Sequence, residues 1–222
     1  MKRILLPALK EIEEGNLKNA LQLLNEIISK DHIHYDAYIN RAKVKRELKD
    51  FKGAMVDYNR LSALYPDRAE VYNNRAKLFF IMCSYEKALQ DINKANELYP
   101  DSILVLLNKG KIECKLNLYK EAIESFSCII KLDSALLPAY FKRGLIKEKT
   151  GDFQGALNDY SYVIKNNKNC LNAYYRRGKL LINCMNDEVN GNKDLNLILK
   201  LVPDKIEILN KNANNYERLD TI

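Results

Sequence analysis

The stretch from Ala69 to Ser102, AEVYNNRAKLFFIMCSYEKALQDINKANELYPDS, recurs in outline along most of the chain. Two series of small residues repeat at a constant spacing of 34 residues. One series is Ala20, Ala54, Ala88, Ala122 and Ala156, and the other is Ala8, Ala42, Ala76, Gly110, Gly144 and Gly178. A fixed period of this length indicates internal repeats, each of which buries its apolar face against its neighbours.

The spacing places the repeats at 1–34, 35–68, 69–102, 103–136, 137–170 and 171–205, followed by a remainder at 206–222. The sixth repeat contains one extra residue between Asn183 and Gly191. Each repeat is predicted to form two helices, because apolar residues recur at helical spacing on both sides of a turn. Pro66 and Pro100 close their repeats, since proline cannot continue a helix.

The pattern resembles the tetratricopeptide repeat (TPR) family over essentially the whole chain. The resemblance rests on the paired small residues, on the closing prolines and on an aromatic residue that opens the second helix, as in Phe51, Tyr85 and Phe153. Tyrosines occupy the family's usual tryptophan position: Tyr38, Tyr72, Tyr140 and Tyr174. The resemblance implies an all-α fold, a right-handed α-solenoid of stacked antiparallel helix pairs, formed as a single array from 1 to 222. It also implies that the first helices line a concave groove.

Two series of charged residues accompany the repeat. Arginines recur in the first helix (Arg41, Arg75, Arg143, Arg177), and aspartates recur in the second (Asp57, Asp91, Asp159, Asp194). The fourth repeat has Lys109 and Ser125 at these positions, and the first repeat lacks both charges. Because the two residues appear together or vanish together, we predict a structural ion pair between the two helices of each full repeat.

The two ends depart from the pattern. Pro7 falls inside the predicted first helix, which we therefore expect to be short, kinked or late in starting. Leu5, Leu6 and Leu9 would form a frayed cap, a dimer contact or the stump of a longer chain, and we favour the cap. The remainder 206–222 is predicted to be a capping helix, because its apolar residues follow the first-helix pattern and its other face is polar.

Composition narrows the functional classes. The 36 Lys and Arg residues exceed the 29 Asp and Glu residues, and the net charge of +7 favours acidic partners. Five cysteines without a Cys-x-x-Cys motif indicate reduced thiols in the cytoplasm or nucleus. No apolar stretch reaches membrane-spanning length, so we expect no membrane partner. We also expect no catalytic site, cofactor or metal, because no corresponding motif is present and His32 and His34 read as solvated turn residues.

The resemblance assigns a candidate groove to the first helices. A ladder of asparagines, lysines and one arginine runs along it: Asn40, Lys43, Asn74, Lys77, Asn108, Lys111, Lys142, Arg176 and Lys179. An apolar stripe accompanies this ladder: Phe80, Leu104, Leu107, Phe141, Leu145 and Tyr175. Asparagine amides can bond to both the N–H and the C=O of a peptide, and lysines favour carboxylates. We therefore expect a non-catalytic scaffold whose partner is an extended or helical protein segment with acidic and apolar residues.

Three alternatives stay open. Binding of RNA is one, although the predicted groove lacks a run of aromatic residues spaced for base stacking and its charge is mixed. A chaperone adaptor is the second, but only Asn108 stands in place of the carboxylate-clamp residues typical of such adaptors, with Lys142 in place of an arginine. The third is a regulatory module of a larger enzyme. The pattern favours no particular oligomeric state.

Overall fold

A computed structural model of the protein describes the backbone of residues 2–201 and the side chains of residues 4–200. Over that range the structure is all-helical, and consecutive helices pack in pairs. The helices are α1 (Lys2–Glu13), α2 (Leu17–Lys30), α3 (Tyr35–Glu47), α4 (Phe51–Leu64), α5 (Ala69–Ile81), α6 (Tyr85–Leu98), α7 (Ile103–Lys115), α8 (Tyr119–Leu132), α9 (Leu137–Lys149), α10 (Phe153–Asn166), α11 (Leu171–Met185) and α12 (Glu188–Leu201).

The first helices of the repeats are the odd-numbered ones. Those from α3 to α11 begin at the residues where the sequence pattern starts its repeats: Tyr35, Ala69, Ile103, Leu137 and Leu171. Contacts divide the chain into two compact units, and the boundary falls between Asn108 and Lys109, inside α7. Leu24, Tyr58 and Leu61 lie in the core of the N-terminal unit, whereas Tyr160, Val163 and Ile198 lie in that of the C-terminal unit.

Small residues allow the two helices of a repeat to approach closely. Ala54, at the start of α4, is fully buried, as are its counterparts in the other second helices. A Cβ atom added to Gly144 would lie 2.8 Å from Cε1 of Tyr160, so the α9 backbone rests directly on that ring. In the sixth repeat two glycines meet, since a Cβ on Gly191 would lie 2.8 Å from the carbonyl oxygen of Gly178. The two series of small residues therefore mark the positions where the two helices of a repeat pack closely against each other.

Each of the first five repeats turns at one residue in the left-handed conformation. The φ angles at repeat position 15 are positive throughout, from 57° to 84°, at Gly15, Lys49, Cys83, Asn117 and Gly151. A left-handed residue ends a helix by exposing its last carbonyl groups to capping bonds. Glycine adopts this conformation readily, whereas lysine or cysteine does so at a cost of about 1 kcal/mol or more.

The prediction that Pro7 shortens or delays the first helix is wrong. The α1 helix runs continuously from Lys2 to Glu13, which is one residue shorter than the thirteen-residue α3 helix. Leu5 and Ala8 on either side of the proline are buried in the core of the N-terminal unit. Pro7 lies near the beginning of the helix, so its missing N–H removes a bond close to the helix end, and burial of its neighbours outweighs that loss.

The extra residue of the sixth repeat is absorbed in its first helix. The α11 helix has 15 residues instead of the 13 of α9, and it is capped by Asn186, which is left-handed with φ of 54°. Only Asn186 and Asp187 separate α11 from α12. Pro203 and the predicted capping helix at 206–222 lie outside the described residues.

Candidate partner-binding surface

The predicted ion pairs are present in all four full repeats. In each one, Nε and Nη2 of the arginine donate to the two carboxylate oxygens of the aspartate at 2.6–3.0 Å. The aspartate side chains are at most 10% exposed. The Nη1 atoms donate to the preceding repeat, where the acceptors are Asn25, Asn59, Ser127 and Ser161. Each arginine thus joins three helices and holds the fold together, so it is not part of a partner site.

The fourth repeat retains a buried carboxylate at a different position. Glu113 of α7 accepts a hydrogen bond from Oγ of Ser125 at 2.7 Å, and its carboxylate lies 3.7 Å from Nζ of Lys109. Burial raises the pKa of Glu113, while the bond from Ser125 and the charge of Lys109 act in the opposite direction. The buried acidic residue of the fourth repeat thus stands on the first helix, whereas in the four full repeats it stands on the second helix. This exchange is not evident when each repeat position is followed separately along the sequence, because Glu113 and the aspartates of the other repeats stand at different positions.

The candidate groove residues of the N-terminal unit lie on one side of α3, α5 and the start of α7, which we term the first-helix face. Leu104 is 54% exposed, and Leu107 on the next turn is half-buried. Half-buried side chains also include Asn40, Lys43, Lys77, Phe80 and Asn108. Asn74 is buried. This face therefore offers a partner one prominent leucine among partly covered polar groups.

The asparagine ladder is engaged within the protein. Asn40 and Asn74 donate their Nδ2 groups to the carbonyl oxygens of Asp36 and Glu70, four residues earlier, at 2.7 and 3.0 Å. Asn108 instead donates to Oδ1 of Asn73 at 2.8 Å. Each of these side-chain amides also has a second N–H group. The bonds fix the orientation of the amides before any partner arrives.

Carboxylates balance the lysines on the first-helix face of the N-terminal unit. Nζ of Lys43 lies 2.8 Å from Oε1 of Glu70, and the hydroxyl of Tyr35 donates to Oε2 of the same carboxylate at 3.2 Å. Burial, followed by the charge of Glu70, raises the pKa of Tyr35. Arg46 pairs with Glu47 at 2.8 Å. The charge of this part of the face is therefore mixed, as the sequence suggested.

In the C-terminal unit, three candidate residues are buried where exposed side chains were expected. They are Phe141, Lys142 and Tyr175. Phe141 and Tyr175 stand at repeat position 5, whose members Ile39 and Asn73 are buried as well. Position 5 therefore faces the interior in these repeats, whereas Leu107, which holds the same position in the fourth repeat, is half-buried. The expected apolar stripe is interrupted at these positions because helical periodicity alone does not fix how far the neighbouring helices extend over a face.

In the C-terminal unit, Glu148 of α9 contacts residues of two other helices, α10 and α11. It accepts a bond from the hydroxyl of Tyr160 at 2.6 Å and lies 3.5 Å from Nη1 of Arg176. Burial, followed by the Glu148 charge, raises the pKa of Tyr160. Lys111 and Leu145 are half-buried here, and Lys179 is exposed. The distance from Arg176 exceeds the 2.7–2.9 Å typical of a strong charge-assisted bond.

Comparison with known families identifies the architecture. Models of the tetratricopeptide repeat match residues 36–68 and 69–102, which are the second and third repeats. The chain is a tetratricopeptide repeat protein. Proteins of this family generally act as scaffolds for protein–protein interactions. The helix pairs, the buried small residues and the left-handed turns of this TPR protein give that assignment a physical basis.

Several solved structures are similar to this TPR protein. PilF of Pseudomonas aeruginosa is 20% identical with a TM-score of 0.76, and the alignment covers 96% of both chains. A TPR protein from Parabacteroides merdae is 18% identical with a TM-score of 0.74, covering 90% of this chain and 78% of that one. YrrB, described as a TPR protein with an unusual peptide-binding site, is 18% identical with a TM-score of 0.72, covering 86% and 97%. At these identities the similarity shows a shared fold. No curated protein matches the sequence.

Histidine and cysteine take ordinary structural positions in this TPR protein. His34 is more than the solvated turn residue expected, since its Nδ1 accepts the N–H of Ala37 at 3.2 Å and caps α3. All five cysteines are free thiols, and burial raises the pKa of Cys114 to about 12. Among the described residues, no helix combines the length and the apolar character needed to cross a membrane.

Proposed function

We propose that this TPR protein is a non-catalytic scaffold that binds a protein segment along its first-helix face. The observation that carries the proposal is the exposure of Leu104 beside Leu107, Asn108 and Lys77 on the first-helix face of the N-terminal unit. Apolar side chains among hydrogen-bonding groups are typical of protein interfaces. The peptide-binding site named for the similar structure of YrrB supports the same use of this fold.

The proposed binding relies on side chains that are held in place before the partner arrives. The amides of Asn40 and Asn108 are already held by hydrogen bonds, so little side-chain entropy opposes the arrival of a partner. Each new polar contact contributes about 0.5–1.5 kcal/mol. Covering Leu104, which is 54% exposed, adds about 1 kcal/mol, because full burial of a leucine is worth roughly 1.5–3 kcal/mol. Useful affinity therefore requires several of these contacts together.

The proposed contacts come from the partly accessible members of the ladder and the apolar stripe. In the N-terminal unit they are Asn40, Lys43, Lys77, Phe80, Leu104, Leu107 and Asn108, and in the C-terminal unit they are Lys111, Leu145, Arg176 and Lys179. The buried members support the surface from beneath; they are Asn74, Phe141, Lys142 and Tyr175. The proposed partner is an acidic and apolar segment in the cytoplasm or nucleus. It is neither a membrane nor a nucleic acid.

A peptide-display selection tests the proposal. Random peptides are selected on the immobilised protein, and the affinity of each enriched peptide is then measured for two variants. We expect Leu104→Asp to weaken binding about tenfold, since it replaces apolar contact by a charge that must be desolvated. Val56→Asp is the matched control, because Val56 on α4 is 65% exposed but belongs to a second helix. Thermal melting confirms that both variants fold.

Two results would contradict the proposed function. One is a selection that enriches no peptide. The other is an equal loss of affinity in Leu104→Asp and Val56→Asp, which would show that the peptides do not bind specifically to the first-helix face.

A further inference from the structure

A cavity of about 940 Å³ lies in the C-terminal unit between the second helices α10 and α12, and residues of α11 form part of its wall. Binding cavities for small molecules typically measure about 300–1,000 Å³. The apolar part of the wall consists of Leu157, Ile164, Tyr174, Leu181, Val189 and Leu197. We call these six residues the second-helix groove, and none of them belongs to the contacts proposed on the first-helix face.

Two other repeats show which side chains take the equivalent place. In each, the residue at repeat position 26, on the second helix, lies on the tyrosine at position 4. The rings of Tyr162 and Tyr140 are stacked in the fifth repeat, with centroids 4.1 Å apart and ring planes 19° from parallel. In the second repeat the guanidinium carbon of Arg60 lies 5.3 Å from the ring centroid of Tyr38. A planar group therefore covers the tyrosine in both repeats.

The two covering side chains are also anchored at their tips. Nη2 of Arg60 donates to the carbonyl oxygen of His32 at 3.0 Å, and the hydroxyl of Tyr162 donates to that of Ser134 at 3.1 Å. His32 and Ser134 both hold position 32 of the preceding repeat. Each covering side chain thus bonds to the repeat before its own.

The sixth repeat keeps the tyrosine but changes its cover. Counting the extra residue, positions 4 and 26 are Tyr174 and Leu197, and both line the cavity. The side chain of Leu197 has neither a planar group nor a hydrogen-bond donor. Val189, also in the wall, is 81% exposed, so apolar surface continues to the outside of the groove. The cavity thus adjoins a tyrosine of the kind that a planar side chain covers in the second and fifth repeats.

The charges in the wall favour a neutral ring over a guanidinium. Three cations line the cavity, Arg177, Lys193 and Lys200, against two carboxylates, Asp187 and Asp194. Arg177 and Asp194 bind each other at 2.7 Å. An entering guanidinium would meet an excess of positive charge, whereas a neutral aromatic ring gains the apolar contacts without that repulsion.

We propose that the second-helix groove is a second binding site, which takes an aromatic side chain from a segment of a partner protein. The ring lies against Tyr174 and Leu197, much as the ring of Tyr162 lies against Tyr140. Burying an aromatic side chain removes about 150–250 Å² from water, and the volume of the cavity leaves room for its apolar neighbours. Because this site shares no residue with the contacts proposed on the first-helix face, one molecule can hold two different segments at once.

Small fragments test the chemistry of the groove. p-Cresol, methylguanidinium and uridine 5′-monophosphate represent a tyrosine side chain, an arginine side chain and a nucleotide. Each is titrated into the full chain with labelled leucine and valine methyl groups, and methyl NMR follows Leu157, Val189 and Leu197. We expect p-cresol to shift these signals with a dissociation constant on the order of 1 mM, and the other two fragments to bind about tenfold more weakly or less well still.

Two pairs of variants locate the binding. Leu197→Tyr supplies the side chain that the fifth repeat has at this position, so it is expected to fill the groove and weaken p-cresol binding about tenfold. Leu199→Tyr is its control, because Leu199 is 43% exposed on the same helix and lies outside the cavity wall. Val189→Asp changes an exposed residue, so it keeps the test valid if Leu197→Tyr does not fold, and Val56→Asp is its control. Thermal melting confirms the folding of all four.

The peptide-display selection described above then tests for a protein partner. A second group of enriched peptides is expected, each with an aromatic residue. Their affinity should fall about tenfold in Leu197→Tyr and change less than about twofold in Leu104→Asp, which lies in the other compact unit.

The contrary outcomes are distinct. The inference is overturned if p-cresol shifts none of the followed signals, if Leu199→Tyr weakens it as much as Leu197→Tyr does, or if no enriched peptide depends on the groove. Tighter binding of methylguanidinium or of uridine 5′-monophosphate would assign the groove to a basic side chain or to a nucleotide.

Other occupants would also overturn it. Nuclear Overhauser contacts between the Leu197 methyl groups and the ring of Tyr216 would assign the groove to the chain's own end. A change in sedimentation caused by Leu197→Tyr would assign it to a second copy of the chain. The proposed function stands or falls separately, since Leu104→Asp decides it.

Discussion

Removal of the Asp159 carboxylate is the sharpest test of how this repeat protein is held together. The side chain is 5% exposed and accepts bonds from Arg143 at 3.0 and 2.7 Å, while Nζ of Lys147 lies 3.0 Å away. Asp159→Ala leaves two cations, each only 17% exposed, without a counter-charge. Breaking a buried pair from one side typically costs about 3–5 kcal/mol, which is a large part of the stability of a domain.

The assay is urea unfolding followed by circular dichroism, with hydrogen exchange of α9 and α10 to show where the loss occurs. Glu97→Ala supplies the control, because Glu97 is 68% exposed in its contact with Lys94 and such pairs contribute about 0.2–1 kcal/mol. Asp91→Ala should fall between the two, since a single cation, Arg75, pairs with Asp91.

An apolar replacement separates the burial of charge from the loss of packing. Substituting Arg143→Met, Lys147→Met and Asp159→Leu together should recover part of the stability lost in Asp159→Ala, because no uncompensated charge then stays buried. The reasoning would be refuted if Asp159→Ala cost no more than Glu97→Ala, or if the exchange rates of α9 and α10 did not change.

Three further outcomes are expected. Burial raises the pKa of Glu113, so its contribution to stability is present below the ordinary glutamate pKa of about 4.3 and is lost as pH rises through the native pKa. Glu113→Gln should remove this decline, so its urea midpoint relative to the wild type should rise from acidic to neutral pH, and a difference that does not change with pH would count against it. Lys49→Gly should raise the free energy of unfolding by about 1 kcal/mol because φ is 63° there, and a lower melting temperature would contradict this. Maleimide at neutral pH should label the three exposed thiols much faster than Cys114, whose pKa burial raises to about 12, and comparable rates by mass spectrometry would disprove its burial.

Features that repeat with the period of the chain could be predicted from sequence. The pairing of Arg41 with Asp57 and its three counterparts followed from joint occurrence, since one geometry serves every repeat. The effect of Pro7 on the length of the helix was misjudged because local propensity predicts a short or late helix, whereas the burial of Leu5 and Ala8 favours a helix that passes through the proline. This burial depends on contacts with other helices, which cannot be inferred from the sequence of one helix alone.

The candidate site could be predicted only in outline. The asparagine and lysine positions follow the helical period, but the burial of Phe141 and Tyr175 depends on how far an adjoining helix extends over repeat position 5. The roles of Glu70 and Glu148 were likewise not evident, because each acts on residues from a different helix. A comparison of the charged residues of each helix with those of its neighbouring helices would have identified the contacts of both glutamates.

The four arginines that pair with an aspartate also donate to the preceding repeat, and we call each such set of bonds an arginine clasp. These clasps have a consequence for shortening the array by whole repeats. In the N-terminal unit the clasp closes on an amide, Asn25 or Asn59, and in the C-terminal unit it closes on a hydroxyl, Ser127 or Ser161. Excising 35–68 would give Arg75 the amide of Asn25 in place of Asn59, but Ile28 in place of Ser62, whose Oγ accepts from Nη1 at 2.8 Å. Excising 137–170 would give Arg177 the hydroxyl of Ser127 in place of Ser161. The C-terminal cut therefore keeps the hydroxyl acceptor of its arginine, so the array can be shortened there by one whole repeat of matching type.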